Sequence, residues 1–79
     1  MRIRNSEDLG QLIREARQAL GLRQKDVAAF SDCGERFIVD LENGKPTCQI
    51  GKALHVALML GISFSAKVPT GDQVQGRKE

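Results

Sequence analysis

Aliphatic residues recur at helical spacing near the start of the chain, where they predict a first amphipathic helix. Ser6 precedes this pattern as a helix N-cap, and Glu7 and Asp8 place negative charge at the positive end of the helix dipole. Gly21 ends the helix as a left-handed C-terminal residue. The apolar stripe between them consists of Leu9, Leu12, Ile13, Ala16 and Leu20.

Two shorter helical patterns follow, and neither can bury its apolar face without the other. The first begins near Arg23 and Gln24, and the second runs from about Gly34 or Glu35 to Asn43. The break between them, residues 31–34, is too short for a full reversal and predicts two helices that cross at a steep angle, a helix-turn-helix. The inward positions are Val27, Ala28 and Ser31 in the first helix, and Ile38 and Leu41 in the second.

The outward face of the second helix carries polar and charged side chains. In a helix-turn-helix this helix is presented to the major groove of DNA, and its outward side chains read base edges. We therefore expect base-reading residues on this face. They are Glu35, Arg36, Val39 and Asp40.

A fourth helix is predicted from about Cys48 to Leu60, after a rigid turn at Pro46 and with Thr47 as its N-cap. Its apolar residues cover more than one helix face, and a domain of this size can cover only one of them. The second face is therefore expected to contact another subunit.

Residues 62–68 alternate apolar and polar side chains, which predicts a half-buried β-strand. The chain offers no second strand, so we expect this segment to pair with its copy across a twofold axis. The predicted dimerisation residues are Val56, Met59, Leu60, Ile62, Phe64, Ala66 and Val68.

The predicted organisation is one all-α domain, a small helix-turn-helix bundle of four to five helices whose C-terminal strand pairs across a homodimer. Residues 1–5 form an N-terminal arm, which is either solvated or bound to DNA, and residues 6–61 form the bundle. Residues 69–79 form a polar tail that is disordered or is ordered only on a partner. A domain of 79 residues buries only about 60% of its unfolded surface, so a partner chain would stabilise it.

Composition excludes several other classes of protein. Cys33 and Cys48 lack CxxC spacing and a nearby His, and His55 stands alone, so we expect no metal site and a reduced, cytoplasmic setting. No apolar run approaches a membrane span or a signal peptide. The chain contains no nucleophile–base pair and no phosphate-cradling glycine loop, so we expect neither an enzyme, a cofactor nor a small-molecule substrate.

The net charge of +2 says little about nucleic acid, and the placement of the charges says more. Lys25 and Lys45 flank the two-helix unit where phosphates would lie, and Arg36 is on its outward face. So small a cationic excess predicts non-specific DNA affinity that fades quickly with salt, and useful binding should need two subunits on one duplex.

The segments LGLRQKDVA and LENGKPT, together with the inward Ile38 and Leu41, resemble the helix-turn-helix family of phage Cro and repressor proteins. This resemblance covers about residues 9–62 and implies a DNA-binding regulator. A narrower likeness, carried by RFIVDLENGKPT, a following helix that ends in LGI and an amphipathic strand, is to HipB-type antitoxins. That likeness implies autoregulation of an operon and binding of a HipA-type kinase toxin.

The family resemblance also implies roles for individual residues. It places Gln24 and Asn43 at phosphate-contacting positions, with Lys45 beside them, and it assigns base reading to Glu35, Arg36 and Asp40. It further implies an ion pair between Arg17 and Glu42 that fixes the orientation of two helices. The family usually has Ser or Thr where this chain has Arg23 and Gly34, so two helix caps are expected to be missing.

Alternative roles remain open for several of these residues. Glu35 could serve the helix dipole, Asp40 could be a solvated surface residue, and Phe37 could pack internally or touch a thymine methyl group. The start of the second helix could meet a DNA phosphate or water. At the level of function, a homodimeric repressor on a palindromic operator competes with a stand-alone phage-type regulator and with an interaction module that has lost DNA binding.

Overall fold

The computed structural model describes residues 2–70 and contains four α-helices in that range. They are α1 (Ser6–Ala19), α2 (Gln24–Ser31), α3 (Glu35–Glu42) and α4 (Ile50–Met59). The prediction of an all-α helix-turn-helix bundle is confirmed for this part of the chain.

The core lies where the four helices meet. Helix α3 packs against both α1 and α2, and α4 packs against α2. Because α1 and α2 cover part of α3, the face of α3 that points away from both helices is left at the surface. The buried apolar side chains are Ile13, Val27, Ala28, Ile38, Leu41, Ala53, Val56, Ala57 and Leu60.

The start of α1 differs from the prediction by one residue. Asn5 is the N-cap, and its side-chain oxygen accepts a hydrogen bond of 2.8 Å from the Asp8 N–H. The Ser6 hydroxyl instead donates to the backbone carbonyl of Gly44 at 2.8 Å, which ties α1 to the end of α3. At the other end, Gly21 has the predicted left-handed backbone (φ 71°), but Leu20 is 57% exposed and its prediction as an inward residue was wrong.

The turn between α2 and α3 has its left-handed residue at Asp32 and not at Gly34, which lies two positions further along the chain. Asp32 adopts the left-handed conformation (φ 58°), which Asp tolerates better than most residues. The Cys33 N–H donates to the Ala28 carbonyl at 3.0 Å and closes the end of α2. Gly34 is the N-cap of α3, with φ −70° and no side-chain cap, so the predicted absence of a cap is confirmed there.

Gly44 ends α3 and fixes the direction of the following loop. Its φ is 79°, and a Cβ at this position would lie 2.8 Å from the Cα of Glu7, so both the backbone and the packing favour glycine. The Lys45 N–H donates to the Asp40 carbonyl at 3.0 Å and places Lys45 beside α3. Helix α4 then begins after Gln49, so the prediction of Thr47 as its cap was wrong.

The segment after α4 is not assigned as a strand in the described part of the chain. Residues 62–70 have no regular secondary structure, although Ile62 packs against the core. A strand is defined by backbone pairing, and the only partner expected for this segment is a second copy of the chain. Pairing across a dimer therefore stays a prediction, and the predicted tail lies outside the described residues from position 71 onward.

Candidate nucleic-acid interface

Helix α3 presents one polar face and one buried face, as its spacing predicts. Ile38 is fully buried and Leu41 nearly so, whereas the Arg36 side chain is 85% exposed. Glu35 is also exposed, and Val39 and Asp40 are half-buried on the flank of the helix. The four predicted base-reading residues therefore lie on α3 outside the core, although Val39 and Asp40 are less accessible than the other two.

Asp40 connects two cations at this surface. The Arg36 Nε atom lies 3.3 Å from one carboxylate oxygen of Asp40, and the Lys45 Nζ atom lies 3.5 Å from the other. Arg36 and Asp40 are four residues apart on α3, and Lys45 is brought back to the helix by the turn at Gly44. The Asp40 carboxylate thus joins Arg36, a predicted base-reading residue, to Lys45, a predicted phosphate-binding residue.

The start of α2 is capped by a residue within the helix. The Asp26 carboxylate accepts a hydrogen bond of 2.9 Å from the Arg23 backbone N–H and further bonds of 3.2 Å from its guanidinium. The hydrogen bonds from Arg23 hold the pKa of Asp26 below its usual value. The hydrogen bond to Asp26 in turn raises the pKa of Arg23. The Arg23 side chain makes no cap hydrogen bond, so the predicted absence of a side-chain cap at this position is confirmed, and Asp26 stabilises the start of α2 from within the helix instead.

The predicted phosphate-binding residues have different surroundings. Lys25 and Lys45 are exposed, and Asn43 is exposed while accepting a hydrogen bond of 3.2 Å from Arg14. The half-buried Gln24 amide points inward and donates to Glu42 at 3.1 Å. One N–H of the Gln24 amide is thus used within the protein, and the other is left for an external acceptor.

Glu42 lies behind the interface and joins three helices. Its side chain is fully buried, and it receives Arg17 Nε at 2.6 Å, Gln24 at 3.1 Å and Arg14 Nε at 3.4 Å. The predicted Arg17–Glu42 pair is confirmed, and Arg17 also donates to the Leu22 carbonyl at 2.8 Å. This arrangement, here called the Glu42 cluster, fixes α3 relative to α1 and α2.

Sequence reasoning missed Arg14 as a member of the Glu42 cluster. The available indication was its spacing, because Arg14 and Arg17 are three residues apart and lie on neighbouring positions of one helix face. Two arginines on the same face of α1 could have led to the prediction that both bind one carboxylate.

Phe37 packs inside the protein, which is one of the two roles expected for it; the other was contact with a thymine methyl group. It is half-buried and packs against the core, and the Lys52 ammonium lies 5.7 Å from the centre of its ring. That distance suits a cation–π interaction between α3 and α4. Internal packing therefore accounts for Phe37.

The predicted dimerisation residues separate into two groups. Val56 and Leu60 are buried in the core of a single chain, and Ile62 is half-buried against it. The remaining members are at the surface: Met59, Phe64, Ala66 and Val68. Three other apolar residues of α4 are exposed at i, i+4 and i+8 spacing and were not among the predicted dimerisation residues: Ile50, Leu54 and Leu58.

Other kinds of site find little support in residues 2–70. This part of the chain holds no group of three or more His, Cys, Asp or Glu side chains placed to bind a metal ion. Its helices are all too short or too polar to span a bilayer. Burial, with a smaller contribution from the Asp40 charge, raises the pKa of the Cys48 thiol and so disfavours the reactive thiolate.

Comparison with known proteins agrees with this geometry. The helix-turn-helix family HTH_3 matches residues 13–66, which include α2, the turn and α3. The chain belongs to the XRE-type helix-turn-helix family. A relative in Sinorhizobium fredii (strain NBRC 101917 / NGR234), the "uncharacterized HTH-type transcriptional regulator y4mF", is 48% identical over 68 residues, covering 86% of this chain and 90% of the relative. Membership of this family implies DNA binding, and it supports a role in transcriptional regulation.

Proposed function

We propose that this XRE-type regulator is a sequence-specific transcriptional repressor that inserts α3 into the major groove of DNA. The observation that carries this proposal is the division of α3 into a core-bound side and a surface side that bears Arg36, on a helix braced by the Glu42 cluster. A rigid helix with one exposed arginine suits base reading, because a guanidinium can donate two hydrogen bonds to guanine O6 and N7.

The surrounding residues have complementary roles in this proposal. Glu35 can accept from cytosine N4, and Val39 can contact a thymine methyl group. Four residues at the ends of α2 and α3 supply phosphate contacts, which position the protein without reading sequence. They are Gln24, Lys25, Asn43 and Lys45.

The proposal includes a homodimer on a palindromic operator, with the two α3 helices in major grooves about one helical turn apart. Two observations support it. The net charge of +2 is small for a single domain that binds DNA alone. In addition, Leu58, Met59, Phe64 and Val68 leave apolar surface exposed near the C-terminal end of the described chain. Bound at the promoter, such a dimer would block access of the polymerase.

The antitoxin hypothesis is a narrower form of the same function. Its support is the resemblance of RFIVDLENGKPT and the following helix to HipB-type antitoxins, which implies a HipA-type kinase toxin as partner. The test is co-purification of this protein with the product of any kinase-like reading frame next to its own. A stand-alone regulator would have no such partner, and an interaction module without DNA binding would retain the kinase and shift no promoter fragment.

The proposed function is tested by selecting a binding site from a random duplex library and titrating variants against it. Arg36→Ala should lower affinity for the selected site by about 1–3 kcal/mol and relax the preference at one base pair. Lys45→Ala should weaken binding to all sequences alike and reduce the slope of log K against log salt by about 1.

Lys67→Ala is the control, because Lys67 is an exposed cation outside α2 and α3. Its effect on both measurements should be small. The assignment of α3 is refuted if Arg36→Ala and Lys45→Ala cause equal losses on every sequence. The proposed function itself fails if the wild-type protein enriches no sequence.

A further inference from the structure

The Asp40 carboxylate faces the two cations that the proposed function assigns to DNA. Its side chain is 19% exposed, whereas the side chains of Arg36 and Lys45 are 85% and 54% exposed. Asp40 is thus held close to the protein surface, while its partners extend toward solvent. An acidic residue in this position would repel DNA phosphates unless its charge remained paired.

The pairing leaves the base-reading end of Arg36 accessible. The ion pair is made through Nε at 3.3 Å, on the side of the guanidinium nearest the aliphatic stem. The two terminal amino groups are the ones that form a bidentate contact with guanine O6 and N7. Arg36 can therefore keep its contact with Asp40 while its terminal groups bind guanine.

We propose that Asp40 is a positioning residue that determines specificity: it orients the Arg36 guanidinium toward guanine and opposes the binding of Arg36 and Lys45 to phosphates at non-cognate sites. This inference rests on the proposed function and replaces direct base reading by Asp40. It assigns Asp40 to a role that depends on its negative charge.

The physical reason is a difference between the two kinds of DNA site. At a cognate site, Arg36 gains a bidentate contact and keeps its pair with Asp40. At a non-cognate site, a phosphate competes with the carboxylate for the same cations, so a contact with DNA is gained only as an internal ion pair is lost. The Asp40 carboxylate, no longer paired with a cation, then repels the nearby phosphate. This repulsion lowers affinity for non-cognate sites more than affinity for the cognate site.

The test compares Asp40→Asn with the wild-type protein on two probes, the duplex selected from the random library and a scrambled duplex of equal length. The amide removes the charge and keeps the shape of the side chain. Affinity for the scrambled duplex should rise about 3- to 10-fold, because Asp40 no longer competes with DNA phosphates for Arg36 and Lys45. The size of the effect is limited because ion pairs at a protein surface are weak. Affinity for the selected duplex should stay level or fall, so the specificity ratio should drop by about 3-fold or more.

Glu15→Gln is the matched control. Glu15 is exposed on α1, is hydrogen bonded by Gln11 at 2.9 Å, and forms no ion pair with another described residue. It changes the net charge by the same amount as Asp40→Asn. If the charge acts only through the long-range field, both variants should raise affinity for the two duplexes equally, and that result would overturn the proposal.

A double-mutant cycle separates positioning of Arg36 from a structural effect. In an Arg36→Ala background, Asp40→Asn should no longer change the base preference at the position that Arg36 reads, whereas Asp40→Glu in the otherwise wild-type chain should retain most of it. Thermal melts of Asp40→Asn and wild type should agree. A loss of base preference that persists without Arg36 would contradict the proposal.

The two levels of inference fail differently. If the wild-type protein enriches no duplex, the proposed function fails and the specificity role of Asp40 fails with it. If an operator is enriched but the specificity ratios of Asp40→Asn and Glu15→Gln are equal, only the role of Asp40 is lost.

Discussion

At the scale of single residues, Glu42 stands out as a buried charged side chain. Its carboxylate is fully buried, and its nearest cation, Arg17, is only 13% exposed. A buried charge is tolerated only when partners replace its water shell, and here two arginines and the Gln24 amide do so. Because these donors come from α1 and α2, the geometry of one side chain on α3 sets the position of the whole proposed reading helix.

Glu42→Gln is expected to destabilise the protein. Glutamine keeps the size of the side chain but leaves Arg17 buried without a compensating charge, and losing one partner of a buried pair costs about 3 kcal/mol or more. Urea unfolding followed by circular dichroism measures the change. Glu15→Gln, an exposed counterpart on α1, should stay within about 0.5 kcal/mol of wild type. Equal stabilities for the two variants would show that the Glu42 cluster adds nothing beyond surface charge.

At the scale of elements, α1 and α3 approach each other closely at Gly10. A Cβ at this position would lie 2.4 Å from the Leu41 carbonyl oxygen and 2.7 Å from that of Glu42, and both are backbone atoms. Glycine is therefore required here by packing, although it sits inside a helix where it is usually unfavourable. The contact holds the C-terminal end of α3 against α1, next to the Glu42 cluster.

Gly10→Ala and Gly51→Ala should change stability in opposite directions. The first forces α1 away from α3 and should cost about 1–3 kcal/mol, as overpacking does. The second adds a methyl group in α4 where no atom lies within 4 Å, and should stabilise by up to about 1 kcal/mol through helix propensity. Thermal and urea unfolding of both variants check the pair, and a neutral Gly10→Ala would mean that the helices can separate without loss.

At the scale of the whole molecule, the distribution of apolar surface favours self-association. The core of a single chain already contains Val56 and Leu60, yet α4 and the segment after it leave Leu54, Leu58 and Phe64 exposed. A small domain that also exposes a row of large apolar side chains is expected to bury them against another chain. Residues 62–68 follow α4 directly in the sequence, and the proposed strand pairing between two copies would use their backbone.

Leu58→Glu should convert the proposed dimer to a monomer, because a charge would have to be desolvated at the interface. Leu20→Glu is the matched control: Leu20, the C-cap residue of α1, is 57% exposed, and Leu58 on α4 is 62% exposed. Analytical ultracentrifugation over a range of concentrations should show dissociation for the first variant only. A wild-type protein that sediments as a monomer throughout would contradict the dimer, as would a Leu58→Glu variant that remains dimeric.

Much of the fold could be predicted from local spacing. Helices α2 and α3, their inward residues and the surface face of α3 follow from the recurrence of apolar side chains every three to four residues, which depends only on the geometry of a helix. The left-handed backbone at Gly21 has the same local origin. Capping was predicted less well, because Asn5 and Ser6 are both good caps and only the bond from Ser6 to Gly44 decides between them.

The sequence by itself determined where the four helices lie, to within about two residues at their ends, and which side of α3 faces the core, since both depend on neighbours a few positions away. Tertiary structure decided the rest: that Glu42 gathers Arg14 and Gln24 as well as Arg17, that Val56 and Leu60 are buried within one chain, and that Asp40 holds two cations of the proposed interface. These arrangements join helices that are distant in sequence or depend on how a turn folds back, and they form because buried charges need partners and apolar surfaces need cover, wherever the chain places them.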